Sequence, residues 1–244
     1  EYNPTQAQLA DEFELLNDLH AAGLPVARVL TAERASIPLQ GDYIVMERLT
    51  GKPQTAAELG ERGRDVLLQI AAILARIHAL DARKLSAPYR DHGGGVRGAM
   101  QRLIDRFHQR WLAERVDGSM VLESAFSWLR ANSGMLDDRV SLVHGDCNLR
   151  NVLIDGTRVS AVLDWELAHA GHAAEDLSYI RPDVEAVMPW QDFVDAYVGA
   201  GGRAVSPQAL RYFEVWKDTW RTAMAACIYG AFVRGVHRNF IFGT

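Results

Sequence analysis

The chain has 244 residues, 23% of them charged, and a formal net charge of −5, which excludes the strongly basic footprint of a nucleic-acid binder. It is 48% hydrophobic with only two cysteines, Cys147 and Cys227, so it can fill one sizeable domain or two lobes around a cleft, but not a disulfide framework or a four-thiolate metal site. The longest apolar stretches, Ile70–Leu80 and Ala223–Val233, run to about 11 residues, too short to span a bilayer. The polar start EYNPTQAQLADEF lacks the apolar core of a signal peptide, and a cytoplasmic protein with no membrane partner is expected.

In chain order, residues 5–22 read as a helix, with Leu9, Phe13, Leu16 and Leu19 at three- and four-residue spacing and Gly23 and Pro25 ending it. Two extended segments follow, Val26–Leu30 and Tyr43–Glu47, and then Leu49-Thr50-Gly51-Lys52-Pro53, read as a hinge. From there to about residue 136 the pattern is helical, with Val66, Ile70, Ile73 and Ile77 as one core stripe and Leu103, Phe107 and Trp111 as another. Val140–Val143 reads as a short strand. NVLI and RVSAVL then flank Asp155-Gly156, a hairpin signal. Helical periodicity returns from Glu175, and Leu210–Arg234 is a long helical region rich in aromatics and alanine.

The chemistry concentrates in His144-Gly145-Asp146-Cys147-Asn148-Leu149-Arg150-Asn151 and, beyond the hairpin, Asp164-Trp165-Glu166. Antiparallel strands bring the residue after the second strand beside the start of the first. Asn151 and Asp164 lie nearly symmetrically about the turn, and Asp146 sits on the entering loop, so the hairpin gathers two carboxylates and an amide. Magnesium favours hard oxygen ligands, one or two from protein and the rest from phosphates and water; Asn151 and Asp164 supply those. Asp146 is left to orient an acceptor hydroxyl and take its proton. Protein kinases distribute these roles in the same way over a catalytic-loop Asp, an Asn five residues on and a downstream Asp.

HGD-x-x-x-x-N followed by a strand and Asp-Trp-Glu resembles the aminoglycoside phosphotransferase family and its relatives, including choline and homoserine kinases. Leu74–Asp81, Ala174-Glu175-Asp176-Leu177 and Tyr43–Glu47 resemble its other landmarks. The resemblance implies an α+β, protein-kinase-like two-lobe fold with a truncated N-terminal lobe and a mostly helical C-terminal lobe. Residues 1–49 would be the remainder of the nucleotide-binding lobe and 50–244 the catalytic and substrate-binding lobe. It implies ATP and Mg2+ as cofactors, a small-molecule hydroxyl compound as acceptor, and adenine held against backbone groups of Glu47, Arg48 and Leu49. Glu12 falls where the family's helix glutamate pairs with a strand lysine. His144 and Asp176 are expected to fix the catalytic loop, and Glu166 to contact metal-bound water, the acceptor or solvent. The segment Asp164–Asp176 is similar to the branch of the family fused or linked to acyl-CoA dehydrogenases, which points to a metabolic role rather than antibiotic resistance.

One departure bears on activity. The family places a phosphate-covering loop and a lysine before the glutamate helix, yet only 11 residues precede Glu12 and the first lysine is Lys52. A segment missing upstream is the expectation. A pseudokinase without turnover and a metal-dependent phosphohydrolase are the alternatives. Gly93–Gly98 matches GxGxxG, but it follows no strand and is expected to be a flexible connection. His169 and His172 read as surface-loop residues, Cys147 as an unreactive loop side chain, and Tyr212, Phe213, Trp216 and Trp220 as core.

Overall fold

In a computed structural model that describes residues 9–36, 41–81, 84–85 and 94–236, helix α1 (Leu9–Ala21) leads into an antiparallel pair, β1 (Val29–Ser36) and β2 (Gly41–Met46). Helices α2 (Ala56–Leu59), α3 (Gly63–His78), α4 (Gly95–Glu114) and α5 (Met120–Ala131) follow. Strand β3 (Ser141–Val143), the hairpin β4 (Val152–Asp155) and β5 (Arg158–Val162), and strand β6 (His169–Gly171) come next, before helices α6 (Ala174–Glu185), α7 (Trp190–Gly199) and α8 (Pro207–Val233). Short antiparallel pairs among long helices make the α+β class that the sequence implies.

The chain divides into two compact units, residues 1–91 with 140–205 and residues 92–139 with 206–244. In the first, α3 is the central support. Val66, Ile70, Ile73 and Ile77 are buried along it, as the stripe predicts, each contributing about 1.5–3 kcal/mol of hydrophobic stabilisation. The helix packs on α7 and also meets β3 and β5. In the second unit α8 packs on α4 and α5. Trp216 meets Phe107 edge to face at 5.5 Å, and Trp220 lies 5.5 Å from the same ring. Tyr212, Phe213 and Trp216 are buried, so the helical spacing of these aromatics does mark core. The Ser206 side chain caps α8 by accepting from the Ala209 amide ahead of a proline at the start of the helix.

Several boundaries differ from the sequence expectation. Strand β1 begins at Val29 rather than Val26, because the Pro25 carbonyl accepts from the Val162 amide and draws that stretch onto β5. The hairpin turn sits one residue later: Asp155 pairs with Arg158, and Gly156, at φ +63°, takes the first loop position. The segment read as a hinge is anchored. Thr50 Oγ1 donates to Asp155, Ser160 Oγ donates to the Thr50 carbonyl, and Lys52 and Ile154 exchange backbone hydrogen bonds. In the GxGxxG stretch Gly93 lies outside the described residues, and the helix α4 starts at Gly95, so its second half is regular structure and not a flexible connection.

Candidate functional site

Strand β3 delivers the chain into His144-Gly145-Asp146, and α6 receives it. Asp176, in the first turn of α6 and fully buried, accepts from the amides of His144 at 2.8 Å and Gly145 at 2.9 Å. Its third partner is His78 at the end of α3, with Nε2 3.0 Å away. The other ring nitrogen, Nδ1, lies 2.9 Å from the Tyr197 hydroxyl. Burial on its own would raise the Asp176 pKa, but the hydrogen bond and charge of His78, with His144, carry it below the ordinary aspartate value. Asp176 therefore braces the loop. His78 and Tyr197, which the sequence reading gave no role, brace Asp176; the signal for His78 was a polar residue continuing the buried stripe one turn after Leu74.

His144 engages two backbone groups of the site. Its Nε2–H donates to the Leu163 carbonyl at 2.7 Å, and Nδ1 accepts from the Asp146 amide at 3.2 Å. One ring thus ties the Asp146 backbone to the residue before Asp164, and it packs against the buried Trp165 ring at 4.7 Å. Gly145 has φ +82°, and a Cβ there would come within 2.5 Å of the Leu167 carbonyl oxygen. Only glycine fits between these two backbones.

The Asn151 Nδ2 donates to the Asp146 carbonyl at 2.9 Å and to its Oδ2 at 3.1 Å. The Leu163 amide donates to the Asn151 carbonyl, which sets Asp164 beside Asn151 as the hairpin argument requires. Asp164 itself adopts φ +64° and ψ +62° and, among the described residues, is alone as a non-glycine at positive φ; such backbone is held only where the surroundings over-determine it. Asn148 and Asp183 support the loop, through Asn148 Nδ2 to the Asp146 carbonyl and the Leu149 amide to Asp183. The sequence reading missed both.

Negative charge accumulates around these groups. Partial burial, and then the neighbouring Asp146, push the Asp164 carboxyl above its ordinary range, although His144 acts in the opposite direction. Glu12 on α1 is raised by burial, then by Glu166 and Asp164. The carboxylates that raise Asp164 and Glu12 in this way form a site suited to a cation. Among the described residues no three or more His, Cys, Asp or Glu side chains gather into a cage. A cation here would take Asn151 and Asp164 from the chain and its remaining ligands from elsewhere, the habit of magnesium.

Other expectations sort differently. Glu47, Arg48 and Leu49 leave β2, and the bonds of Glu47 run to Arg28: its amide donates to the Arg28 carbonyl, and its Oε1 accepts from the Arg28 amide at 2.9 Å. Cys147 is buried, and burial followed by the charges of Asp176, Asp146 and Asp183 raises its thiol well above the usual value, consistent with no nucleophilic role. The surface-loop reading of His169 and His172 is overturned. His169 lies on β6, paired with Val143, and His172 is buried with Nδ1 accepting from the Ala174 amide at the start of α6. Two polar letters flanking Gly171 hid a three-residue strand whose partner lies across the hairpin. Among the described residues no helix is long and apolar enough to cross a membrane.

Residues 2–221 match the profile of the phosphotransferase enzyme family, APH. The chain is 29% identical to acyl-CoA dehydrogenase family member 11 of Mus musculus over 184 residues, covering 72% of this chain and 23% of that protein. It is 27% identical to family member 10 of the same organism, covering 98% of this chain and 24% of that one. The match therefore spans under a quarter of each relative's length. The fold is similar to a Ralstonia eutropha JMP134 protein solved as a candidate aminoglycoside phosphotransferase, with a TM-score of 0.73, 19% identity, and coverage of 94% of this chain and 76% of that one. It is also similar to APH(4)-Ia solved with ADP and hygromycin B, with a TM-score of 0.63, 20% identity, and coverage of 90% and 82%. A choline/ethanolamine kinase family protein from Mesorhizobium loti gives a TM-score of 0.65 at 16% identity over 96% of this chain and 73% of that one. The architecture is thus kinase-like.

Proposed function

From the premise that this chain belongs to the phosphotransferase enzyme family, we propose that it transfers the γ-phosphoryl group of ATP to a hydroxyl group of a small molecule. The observation that carries this reading is the bond of Asn151 Nδ2 to Asp146 within a hairpin that sets Asp164 alongside. A proton acceptor and two oxygen ligands thereby stand on one rigid frame. ADP in the APH(4)-Ia complex supports a nucleotide donor.

In this reading Asp146 accepts the proton of the acceptor hydroxyl as its oxygen bonds to the γ-phosphorus, while the bond to the β–γ bridging oxygen breaks and ADP leaves. Asn151 and Asp164 would hold Mg2+, which supplies charge neutralisation on the phosphates. We assign residues 1–49 to a nucleotide-binding lobe, with adenine against Glu47, Arg48 and Leu49, and 50–244 to the catalytic and acceptor-binding lobe. Glu12 is assigned to the nucleotide side, and Glu166 to metal-bound water or the acceptor. Two of the curated relatives are acyl-CoA dehydrogenase family members, which supports a hydroxylated metabolite as acceptor over an antibiotic.

The test is magnesium-dependent ATP consumption against a panel of hydroxyl compounds, with Asp146→Asn as control. Acceptor-stimulated turnover that the control loses is expected; turnover equal in both proteins would sink the mechanism.

A further inference from the structure

His169 and Glu175 have no part in the chemistry proposed above, yet they meet in the interior beside it. The Glu175 side chain is 2% exposed, and its Oε2 lies 3.2 Å from His169 Nε2, an ion-pair distance between two atoms that are sealed from solvent and not aligned as a hydrogen bond. The other ring nitrogen, Nδ1, lies 2.9 Å from the Leu167 carbonyl oxygen. Both nitrogens therefore face acceptors. A neutral imidazole carries one N–H and would set a lone pair against one of them; an imidazolium presents an N–H to both. A carboxylate at ion-pair distance favours the charged form of the ring.

The surroundings agree with that geometry. Burial opposes the charged ring, but the Glu175 carboxylate, then the Leu167 carbonyl and the more distant Asp176 outweigh it and raise His169 above the ordinary histidine value. The carboxylates acting on the ring come from consecutive positions of α6, while the strand β3 opposite presents Val143.

What the ring holds is the Leu167 carbonyl, whose oxygen occupies the space a Cβ on Gly145 would need. That residue separates His144 from Asp146. We propose that His169 is a positioning residue: as a doubly protonated ring bridging Glu175 and the Leu167 carbonyl, it presses the segment after Asp164 onto Gly145 and so fixes the setting of Asp146. What it positions rests on the phosphotransferase reading; the charge state of the ring does not. Asp176 grips the same loop through its amides, so adjacent residues of α6 hold it by two routes, one direct and one through His169.

The experiment is a histidine-ring nitrogen–proton spectrum of the whole chain across pH, for the wild type, His169→Gln and Glu175→Gln, alongside magnesium-ATP turnover with whichever acceptor supports it. The ring absent from the His169→Gln spectrum is expected to be an imidazolium at about pH 7.5, and in Glu175→Gln to titrate about one unit lower or more. Turnover should decline as the pH rises through that titration, and Glu175→Gln should move the decline to lower pH. His169→Gln should lower kcat about tenfold with KM for ATP within about twofold. A neutral ring at about pH 7.5 in the wild type overturns the proposal, as does an alkaline decline identical in all three proteins. Glu175→Gln, which keeps the side-chain shape, carries the test if His169→Gln does not fold. An imidazolium in a wild type inert toward ATP, with Asp146→Asn indistinguishable from it, would sink the phosphotransferase reading and the positioning role together. A neutral ring in an active wild type would sink the positioning role alone.

Discussion

The two compact units bury different things. Among the described residues the buried polar side chains are Gln54, His78, Ser141, His144, His172, Glu175, Asp176, Ser178 and Thr219, and all but Thr219 belong to the unit made of residues 1–91 and 140–205. The unit of α4, α5 and α8 is held by rings and aliphatic chains, among them Phe107, Trp111, Phe126 and Trp216. Apolar contacts are non-directional and hold helices together without fixing any atom closely. A hydrogen-bonded interior is costly when incomplete, but it sets backbone positions to within a bond length. The first unit accepts that cost where Asp146, Asn151 and Asp164 must be placed.

Substitutions can break or sharpen this contrast. The largest effect is expected from Asp146→Asn, which removes the proposed proton acceptor and should lower turnover by about 10²–10⁴-fold while the melting temperature stays within about 2 °C. Kinetics and a melting curve on one preparation check it. In the apolar unit Phe126→Ala should cost about 3–5 kcal/mol in denaturant unfolding, through lost packing against Trp111 and His108. Asp176→Asn should cost about 3 kcal/mol, because it strips the negative charge from a buried site built on His78 and two backbone amides. Unlike Phe126→Ala, it should lower turnover in the protein that remains folded. If both variants lose stability alone, the polar interior is not there for placement.

The smallest expected effect runs the other way. Asp164 and Glu12 have folded-state pKa values above their ordinary ones, so each lowers stability once ionised, and that penalty fades as the pH falls toward the carboxylate range. Asp176 has a lowered value; its contribution is present above the ordinary aspartate pKa and is lost as the pH falls through the folded one. Without magnesium, Asp164→Asn should therefore raise the melting temperature near neutral pH by about 1–2 °C, since asparagine tolerates the left-handed backbone at that position. Added magnesium should narrow the gap. A melting temperature lowered by this substitution would show that the crowding is harmless.

Legibility followed range. Asp146, Asn151 and Asp164 were readable because a tight hairpin turns sequence spacing into spatial spacing, and the α3 stripe was readable because burial repeats with the helical period. Tyr197 and Asp183 were not, since their partners lie on other elements and nothing local marks them, and His78 was marked only by a polar residue on a buried stripe. Strand β6 was missed for the same reason: three residues pair with β3 across the whole hairpin, too short a run for alternation to show. The start of β1 was misplaced because Pro25 is bonded to β5 rather than to a neighbouring strand.

The strand pair β1–β2 is rooted on the hairpin at both of its ends. Pro25 is tied to Val162 where the chain enters, and Thr50 and Lys52 are tied to Asp155 and Ile154 where it leaves. Tied at both roots, the pair keeps its place along the hairpin. Glu47 is bonded to Arg28 within the pair itself.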